Sequence, residues 1–401
     1  MIHTSLNKNK NIEYLVGGFD IKITPQVPYN NLSLEFLDEL SKALRNHKQI
    51  KEYPDIMGFA FWCRKANISK LKTNFSENKT RLGVGLVFHI TPSNVPVNFA
   101  FSFVFGLLSG NANIVRVPSK PFMQTDIICS EINKIFENKK YSLIKSMTSF
   151  VKYEKDDDIT AQYSQICNAR VIWGGDKTIW NIRKLPISTR CTDIAFADRF
   201  SFSIINSDEL IKTNENDLDR LVEGFYNDTY LMDQNACSSP HLVLWLGKNK
   251  EEAQNKFWNA LYLKVKNMYK LSLIMAVDKY THLCENAIDM NSIKNYKSFG
   301  NLLYILQLNN LSSNIENYHG KFGYFFEYEI EKLDDISSII NNKYQTLTYY
   351  KVDKNLIKDF IVNNALLGID RVVPIGQAMD MTVIWDGYDI VKSLSRIVDI
   401  K

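Results

Sequence analysis

The feature that most constrains the fold is a regular alternation of strands and helices that begins near Leu82. The apolar run at residues 84–90 predicts a buried strand, and Pro96 suits the first turn of a helix that ends near Gly110. Further strands are predicted at 113–117, 148–153 and 170–173, each separated from the next by a predicted helix. Alternation at this spacing predicts βαβ units and a parallel sheet.

A second α/β block begins near Phe202 and contains predicted strands at 241–246, 302–308 and 323–328. Helices are predicted at 217–230, 251–269, 333–342 and 354–363. A chain of 401 residues is too long for one hydrophobic core, so two or three domains are expected.

Composition and charge exclude several classes of protein. The 48 basic and 44 acidic side chains give a net charge of +4, which gives no reason to expect nucleic acid as a partner. The apolar run at 99–108 is too short to span a bilayer, and residues 1–15 lack the apolar part of a signal peptide. We therefore predict a cytoplasmic protein with no integral membrane segment.

The cysteines and histidines argue against a disulfide framework and against a metal site. The six cysteines form no CxxC pair, and the six dispersed histidines form no HExxH motif. We expect reduced thiols and no bound metal. For the five cysteines other than Cys237, a buried structural thiol is the expected state.

Cys237 lies in the short polar segment Asp-Gln-Asn-Ala-Cys-Ser-Ser-Pro-His at residues 233–241, between a predicted helix and a predicted buried strand. Nearby backbone N–H groups are expected to lower the pKa of its thiol. Such a sulfur can attack a carbonyl and carry an acyl group. His241, four residues further on, could protonate a leaving thiol or act on Cys237; a purely structural role for it is an equal alternative.

A polar loop follows the first predicted strand of the alternating region, where ligands bind in open α/β sheets. Thr91 and Pro92 begin this loop, and the Asn94 amide can donate a hydrogen bond to a developing oxyanion. The alternative is that Asn94 only caps the helix that follows.

From about Gly83 onward the chain resembles the aldehyde dehydrogenase superfamily, and more closely the LuxC-type acyl-CoA reductases. The segments TPSNVP, GNANIVRVPSK, VIWGGDKTI and DQNACSSP carry the resemblance, together with the C-terminal GIDRVVPIGQAMDMTVIWDGYDIVKSLSRIVDI. The resemblance implies that Cys237 is the acyl carrier and that Asn94 holds the oxyanion. It implies a cofactor site at the following residues: Thr91, Pro92, Arg116, Ser119, Lys120, Gly174 and Gly175.

The implied fold class is α/β and aldehyde dehydrogenase-like. Residues 1–200 would form a lead-in and a Rossmann-like NADP(H)-binding domain, and residues 201–367 an α/β catalytic domain. Residues 368–401 would return to the cofactor domain and serve in oligomerisation.

Departures from the superfamily pattern refine the expected reaction. Hydrolytic members of the superfamily share a glutamate that activates water, and Phe196 stands about at that position here. Without this base an acyl-enzyme would not be readily hydrolysed, so it would persist for reduction or thiol exchange. Asp198 could be a displaced base, although pairing with Arg199 or capping a turn is the favoured reading. The superfamily glutamate that binds the nicotinamide ribose is replaced by Gly320, and His319 is a possible substitute.

Ser119 occupies a position where NAD-preferring members usually carry a glutamate. A neutral serine beside Arg116 and Lys120 would not repel a 2′-phosphate, so the cofactor expected is NADPH.

The leading hypothesis is NADPH-dependent reduction of an activated fatty acyl group to an aldehyde through an acyl-cysteine. The acyl donor would be an acyl-CoA or an acyl-protein thioester. The resemblance also implies an acyl-protein synthetase as a partner and a homo-oligomer. Two alternatives stay open: oxidation of an aldehyde to an acid or acyl-CoA, and a catalytically inactive nucleotide-binding scaffold.

Overall fold

The computed structural model describes residues 11–75, 79–93 and 95–401. The chain divides into two compact units. Unit 1 contains the described residues up to Ala197 together with Tyr388–Lys401, and unit 2 is Asp198–Gly387. The functional roles assigned to the domains from the sequence remain predictions.

Unit 1 is built from short strands and helices that alternate along most of its length. Its helices are α1 Asn31–Arg45, α2 Pro54–Trp62, α3 Lys65–Asn74, α4 Asn98–Leu108, α5 Met123–Ile135, α6 Ser142–Ser146, α7 Asp157–Ile166, α8 Asp176–Arg183 and, after the return of the chain, α14 Ile390–Ser393. Its strands are β1 Glu13–Val16, β2 Thr80–Gly83, β3 Leu86–Ile90, β4 Ala112–Arg116, β5 Thr148–Lys152, β6 Ala169–Trp173, β7 Thr192–Phe196, β16 Tyr388–Asp389 and β17 Ser395–Val398.

Unit 2 follows the same alternating pattern with longer helices. Its helices are α9 Ser207–Ile211, α10 Glu215–Thr229, α11 Lys250–Met268, α12 Leu273–Asp289 and α13 Lys354–Asn363. Its strands are β8 Phe200–Asn206, β9 Pro240–Leu246, β10 Ile293–Phe299, β11 Leu303–Leu308, β12 Tyr324–Ile330, β13 Tyr344–Tyr350, β14 Arg371–Pro374 and β15 Ile384–Trp385.

The main sheet in the described part of unit 1 has the strand order β1-β5-β4-β3-β6-β7. Only the β1–β5 pair is antiparallel; the other neighbours run parallel. The central strands β3 and β6 are buried along their whole length, which explains their apolar sequences. Helix α4, the apolar segment predicted to be too short for a bilayer, is buried in this core.

The main sheet in unit 2 has the order β10-β11-β12-β9-β8-β13-β14, with one antiparallel pair at the β10 edge. The apolar strands β8, β9 and β12 lie in its middle, and two hydrophobic clusters pack on its faces. The predicted parallel α/β architecture is therefore confirmed in both units. No helix among the described residues combines the length and the apolar character needed to cross a membrane.

Three local predictions were wrong. In the residues before the alternating region, the sequence predicts a strand pair near 14–23, but the structure has the single strand β1, which pairs with β5. The sequence also predicts one helix at 53–71, but the structure has two helices, α2 and α3, separated at Cys63 and Arg64. The helix predicted at 333–342 is only the short 3-10 turn Leu333–Ile336, whose start is capped by the Asp335 carboxylate accepting the backbone N–H groups of Glu331 and Lys332.

Candidate functional site

The residues predicted to bind the cofactor follow three neighbouring strands of unit 1. Thr91 and Pro92 follow β3, Arg116 ends β4 with Ser119 and Lys120 just beyond it, and Gly174 and Gly175 follow β6. Since β4, β3 and β6 are adjacent and parallel, their carboxyl ends lie at one edge of the sheet. The fold thus brings the predicted cofactor-binding residues to the same edge.

The edge also contains the switch point of the sheet. From β3 the chain builds β4 and then β5 on one side, and it later returns to place β6 and β7 on the other side of β3. Ligands of open α/β sheets bind in the crevice outside the strand ends at such a point. The crevice here lies beyond Ile90 and Trp173, next to Thr91 and Gly174.

The two glycines after β6 leave space at the start of α8. Gly175 is the N-cap of that helix, with φ −65° and ψ 159°, so its conformation does not itself require glycine. A Cβ atom added at Gly175 would meet nothing within 4 Å, whereas one at Gly174 would lie 3.3 Å from Thr178. An open helix N-terminus is a favourable place for a phosphate. These glycines therefore fit a pyrophosphate by leaving room for it.

Arg116 and Lys120 place two positive charges just after β4, whereas Asp176 begins α8 at the same edge with a negative charge. The Thr91 hydroxyl donates a 2.7 Å hydrogen bond to the Arg116 carbonyl, which joins the ends of β3 and β4. The Arg116 guanidinium lies 4.4 Å from the centre of the Tyr153 ring, a cation–π contact that fixes its direction. With exposed Lys120 and partly buried Ser119 in the following loop, the residues fit an anionic nucleotide.

A buried polar network that the sequence analysis missed lies beneath this edge. His89 of β3 shares a 2.8 Å hydrogen bond with Ser102 of α4 through Nδ1 and a 3.0 Å bond with Asn113 of β4 through Nε2. The Trp173 indole of β6 donates to the same Ser102 hydroxyl at 3.0 Å. Burial lowers the pKa of His89 to about 4, so the imidazole is neutral at pH 7. The sequence feature that could have indicated this network is the histidine inside the apolar run of β3.

The segment that carries Cys237 connects α10 to β9 in unit 2. A 3-10 turn at Tyr230–Met232 is followed by Asp233 and Gln234, both in the left-handed region with φ of 53° and 56°. The buried Gln234 side chain makes four hydrogen bonds with backbone groups: it accepts from Gly323 and Tyr324 and donates to Pro240 and Tyr324. Two unusual backbone conformations are thus secured just before the nucleophile candidate.

Cys237 is partly exposed, and its backbone is held from the neighbouring strand. The Ser201 hydroxyl of β8 donates a 2.6 Å hydrogen bond to the Cys237 carbonyl. Contrary to the sequence-based expectation, the pKa of the thiol is raised, to about 11. Burial is the largest cause. Backbone N–H groups of Arg199 and Cys237 lower the pKa as predicted, but Asp198 and Asp386 raise it, so the resting sulfur is protonated at neutral pH.

His241 occupies a buried position at the start of β9. Its ring stacks on Phe200 with 5.8 Å between ring centres and lies 4.6 Å from His319. Its Nδ1 atom has no hydrogen-bond partner within the described parts of the chain, and burial lowers its pKa well below the usual value. The imidazole is therefore neutral, and its predicted role toward Cys237 stays a prediction.

Asn94 lies outside the described residues, so its predicted oxyanion role also stays a prediction.

Phe196 stands about where the resemblance places the water-activating glutamate of hydrolytic superfamily members. It ends β7 and is buried against Trp173, with 3.9 Å between the ring centres. Of the two roles favoured for Asp198, pairing with Arg199 was wrong, and capping a turn stays a prediction. Arg199 instead forms an ion pair with Asp370 and donates to the Lys343 and Tyr344 carbonyls, while Asp198 is exposed.

Gly320 cannot be replaced by an acidic residue in this backbone. A Cβ atom there would lie 2.5 Å from the Tyr324 ring. The possible substitute, His319, shares a 2.6 Å hydrogen bond with the Glu316 carbonyl and packs on His241. Its suggested contact with a ribose stays a prediction.

Not all of the other cysteines are buried. Cys63, Cys129 and Cys167 are buried as expected, but Cys191 is partly exposed and Cys284 of α12 is exposed. The prediction was wrong for Cys284 because α12 turns that side of the helix to solvent. Within the described ranges, no three His, Cys, Asp or Glu side chains converge as a metal site would require.

Comparison with known proteins identifies the family. The sequence profile described as acyl-CoA reductase (LuxC) matches residues 64–398. A long-chain acyl-protein thioester reductase of Vibrio harveyi is 23% identical over 317 residues, covering 78% of this chain and 63% of the relative. One of the same name from Aliivibrio fischeri is 28% identical over 169 residues, covering 41% and 33%. The matched part therefore spans less than two thirds of either relative.

Solved structures agree on the fold. Lactaldehyde dehydrogenase from Escherichia coli superimposes with a TM-score of 0.63 at 10% identity, covering 91% of this chain and 85% of that one. An oxidoreductase from Marinobacter aquaeolei gives a TM-score of 0.67 at 11% identity, covering 96% and 88%. The predicted aldehyde dehydrogenase-like fold is confirmed. Because the family profile covers most of the sequence, the chain belongs to the acyl-CoA reductase (LuxC) family.

Proposed function

We propose that this protein is an oxidoreductase that reduces an activated fatty acyl group to an aldehyde through a thioester on Cys237. The observation that carries the proposal is the state of Cys237, a partly exposed thiol on a backbone held by Gln234 and Ser201. A purely structural cysteine would need neither exposure nor this bracing. The relatives named long-chain acyl-protein thioester reductases support the same chemistry.

In the first half-reaction the Cys237 sulfur attacks the carbonyl carbon of an acyl thioester. The backbone N–H of Cys237 donates to the oxyanion that forms, and Asn94 is proposed as a second donor. The carbon–sulfur bond to the donor thiol then breaks, which leaves the acyl group on Cys237. Both CoA and an acyl-carrying protein provide such a thioester.

The second half-reaction requires a nicotinamide cofactor, which supplies the hydride when bound. The residues that would hold it in unit 1 are Arg116 at the end of β4 and the Gly174-Gly175 turn before α8. Ser119 and Lys120 favour the phosphorylated form, NADPH, because neither repels a 2′-phosphate. Reduction of the acyl carbonyl gives a hemithioacetal on Cys237. When the Cys237 sulfur leaves, the aldehyde is released.

Phe196 supports reduction over hydrolysis. It is buried against Trp173 and carries no group that can activate water at this point of β7. An acyl group on Cys237 would therefore wait for hydride or for another thiol. Rapid acid formation from an aldehyde and NADP would instead favour the oxidative alternative.

The proposal is tested by acylation with a radiolabelled long-chain acyl-CoA. Wild type is expected to retain the label in a bond that neutral hydroxylamine cleaves, and to release aldehyde when NADPH is added. Cys237→Ala should do neither. Cys284→Ala is the matched control because Cys284 is exposed and could be labelled without a catalytic role. Equal labelling and aldehyde formation by Cys237→Ala and wild type would reject the function; no labelling of wild type would favour an inactive scaffold.

Two assembly partners are part of the proposal. We expect an acyl-protein synthetase to deliver the acyl group and the protein to form a homo-oligomer. Co-purification with such a synthetase, and the mass of the purified protein in solution, would test these expectations separately from the chemistry.

A further inference from the structure

Asp386 is held in place by a hydrogen bond from the neighbouring strand β13. It begins the Asp386-Gly387 turn with φ of 47°, and Gly387 follows with φ of 76°. The Gln345 side-chain amide of β13 donates a 2.5 Å hydrogen bond to Asp386 Oδ1. The carboxylate therefore has a defined position at the start of β13, although it belongs to a turn far along the chain.

Hydrogen bonds joined through the Thr346 backbone connect the Gln345 side chain, which holds Asp386, to the backbone carbonyl of Cys237. The Thr346 hydroxyl donates to Gln345 Oε1 at 3.1 Å, and the Thr346 backbone N–H donates to Ser201 Oγ at 3.2 Å. Ser201 Oγ in turn donates to the Cys237 carbonyl at 2.6 Å. Because β8 and β13 are adjacent parallel strands, Asp386 and Cys237 are fixed to the same end of the same pair of strands.

The charges around Asp386 keep it ready to exchange a proton near neutral pH. Burial is the main cause that raises its pKa, to about 6, and the Asp370 carboxylate acts in the same direction. The Arg199 guanidinium and the Gln345 amide oppose this change and favour the charged form. The Asp386 charge also raises the pKa of the Cys237 thiol, so the two groups lie within electrostatic range of each other.

We infer that the Asp386 carboxylate accepts the proton of the Cys237 thiol when its sulfur attacks a thioester, and then delivers that proton to the departing thiol. The inference rests on the proposed function. The sulfur electron pair forms the new carbon–sulfur bond, and the electrons of the old carbon–sulfur bond leave with the donor thiolate. That thiolate takes the proton from Asp386, which returns to a carboxylate, so no other reactant is needed.

Two other groups near Cys237 are less suited to this step. Asp198 also acts on the sulfur electrostatically but is exposed. His241 is buried between Phe200 and His319 in an aromatic cluster. Asp386 combines partial burial with a fixed hydrogen bond.

The test compares Asp386→Asn with wild type and with Asp198→Asn. Asparagine tolerates the left-handed conformation at position 386, so the turn is preserved while the charge is removed. Two rates are measured from pH 5 to pH 9 by intact mass spectrometry: acylation of Cys237 by a long-chain acyl-CoA, and alkylation of Cys237 by iodoacetamide. Circular dichroism confirms that each variant is folded, and Asp386→Glu provides a second variant that keeps the carboxylate.

The two rates should move in opposite directions in Asp386→Asn. Loss of a nearby negative charge should speed alkylation roughly threefold by favouring the thiolate. Loss of the proton acceptor should slow acylation about 100-fold at pH 7. The wild-type acylation rate should fall as pH drops below about 6, and Asp386→Asn should not show this pH dependence. Asp198→Asn also removes a negative charge near the sulfur but leaves the proposed proton acceptor, so it should speed alkylation without slowing acylation. Asp386→Glu should recover part of the acylation rate that Asp386→Asn loses.

An unchanged acylation rate in Asp386→Asn, or parallel losses of acylation and alkylation, would overturn the inference. Neither result would affect the proposed function, provided that wild type is acylated. If wild type accepts no acyl group although Cys237 alkylates normally, the proposed function fails and the inference fails with it.

Discussion

The Cys237 segment of unit 2 and the Gly174-Gly175 turn of unit 1 are built in opposite ways. Buried Gln234 and Ser201 brace the first, which contains left-handed backbone at two non-glycine positions. The second has ordinary backbone angles and empty space beside Gly175. A nucleophile must be held in place before the substrate arrives, whereas a cofactor site must leave room for a group that fills it. The predicted nucleophile site therefore depends on buried hydrogen bonds, whereas the predicted cofactor site depends on unfilled space.

The Cys237 segment should therefore be sensitive to loss of its bracing. Gln234→Ala would leave four buried backbone groups without their side-chain partner. An unsatisfied buried group costs about 1–3 kcal/mol, and single substitutions rarely exceed about 4–5 kcal/mol. We therefore expect a loss of roughly 4–5 kcal/mol in the free energy of unfolding, together with loss of acylation. Urea denaturation measures the first and labelling with acyl-CoA the second.

Asn235→Ala is the matched control for that variant. Asn235 is the next residue, but among the described residues its side chain donates only to the nearby carbonyls of Met232 and Asp233. We expect a change of about 1 kcal/mol or less. Equal losses from the two variants would mean that Gln234 has no special part in fixing the segment.

Asp228 provides an outer brace of the same region. Its buried carboxylate accepts the backbone N–H groups of Gly376 and Ala378, and Met379 in that loop accepts a 3.6 Å hydrogen bond from Ser238. Burial raises the pKa of Asp228 to about 7. The folded protein therefore binds a proton more tightly than the unfolded chain, and this carboxyl makes stability fall as pH rises from about 4 to about 7.

In Asp228→Asn that contribution to the pH dependence should disappear. At pH 5 the variant should be less stable than wild type by about 1–2 kcal/mol, because its amide nitrogen cannot accept a backbone N–H. The difference should shrink and then reverse by about pH 7, because linkage lowers the wild-type stability by about 1.4 kcal/mol per pH unit between about pH 5 and 7. Urea denaturation at a series of pH values checks this, and a constant difference would show that Asp228 does not titrate in this range.

The apolar strands and one polar-capped helix could be predicted from sequence. Helix α13 was predicted with its observed bounds, since the Asp353 side chain accepts the Asn355 N–H at its start. Strands β3, β6 and β9 are apolar because both faces of their sheets are covered. For such elements the local pattern and the tertiary environment agree.

Helix α12 and strand β13 were missed because their patterns mislead. In α12 the apolar residues Leu273 and Val277 are exposed, while Lys279 is buried and donates to the Phe322 carbonyl. Strand β13 contains buried Gln345 and Thr348, which are paired with Asp386 and Ser203. Hydropathy cannot anticipate polar groups that satisfy one another across distant parts of the chain.

The partners of the candidate site residues were equally hard to predict, because they come from distant parts of the chain. The segments containing Cys237 and Gly174 could be proposed as site segments from the sequence because they are local motifs. The partners Ser201, Gln345 and Asp386 come from separate elements, so only the fold shows them together. The raised pKa of Cys237 was also beyond the sequence, because its main cause is burial.

Substitution in the Gly174-Gly175 turn of unit 1 should change the affinity for NADPH but not the free energy of unfolding. Gly175→Ala should leave the free energy of unfolding within about 0.5 kcal/mol of wild type, since its Cβ would meet nothing. If a pyrophosphate occupies that space, NADPH binding should weaken roughly tenfold, or about 1.4 kcal/mol. Fluorescence titration with NADPH measures this; unchanged affinity would move the pyrophosphate away from the glycines.

The smallest expected effect concerns which nucleotide the open edge prefers. Ser119→Glu places a carboxylate between the cations Arg116 and Lys120, where it would repel a 2′-phosphate and accept ribose hydroxyl groups. Because the two cations remain and offset part of the repulsion, the ratio of kcat/KM for NADPH over NADH should fall only about fivefold. Ser119→Ala, which adds no charge, should leave the ratio unchanged. A fall of the same size in both variants would mean that the hydroxyl acts by direct contact, and the absence of a carboxylate at position 119 would no longer explain a preference for NADPH.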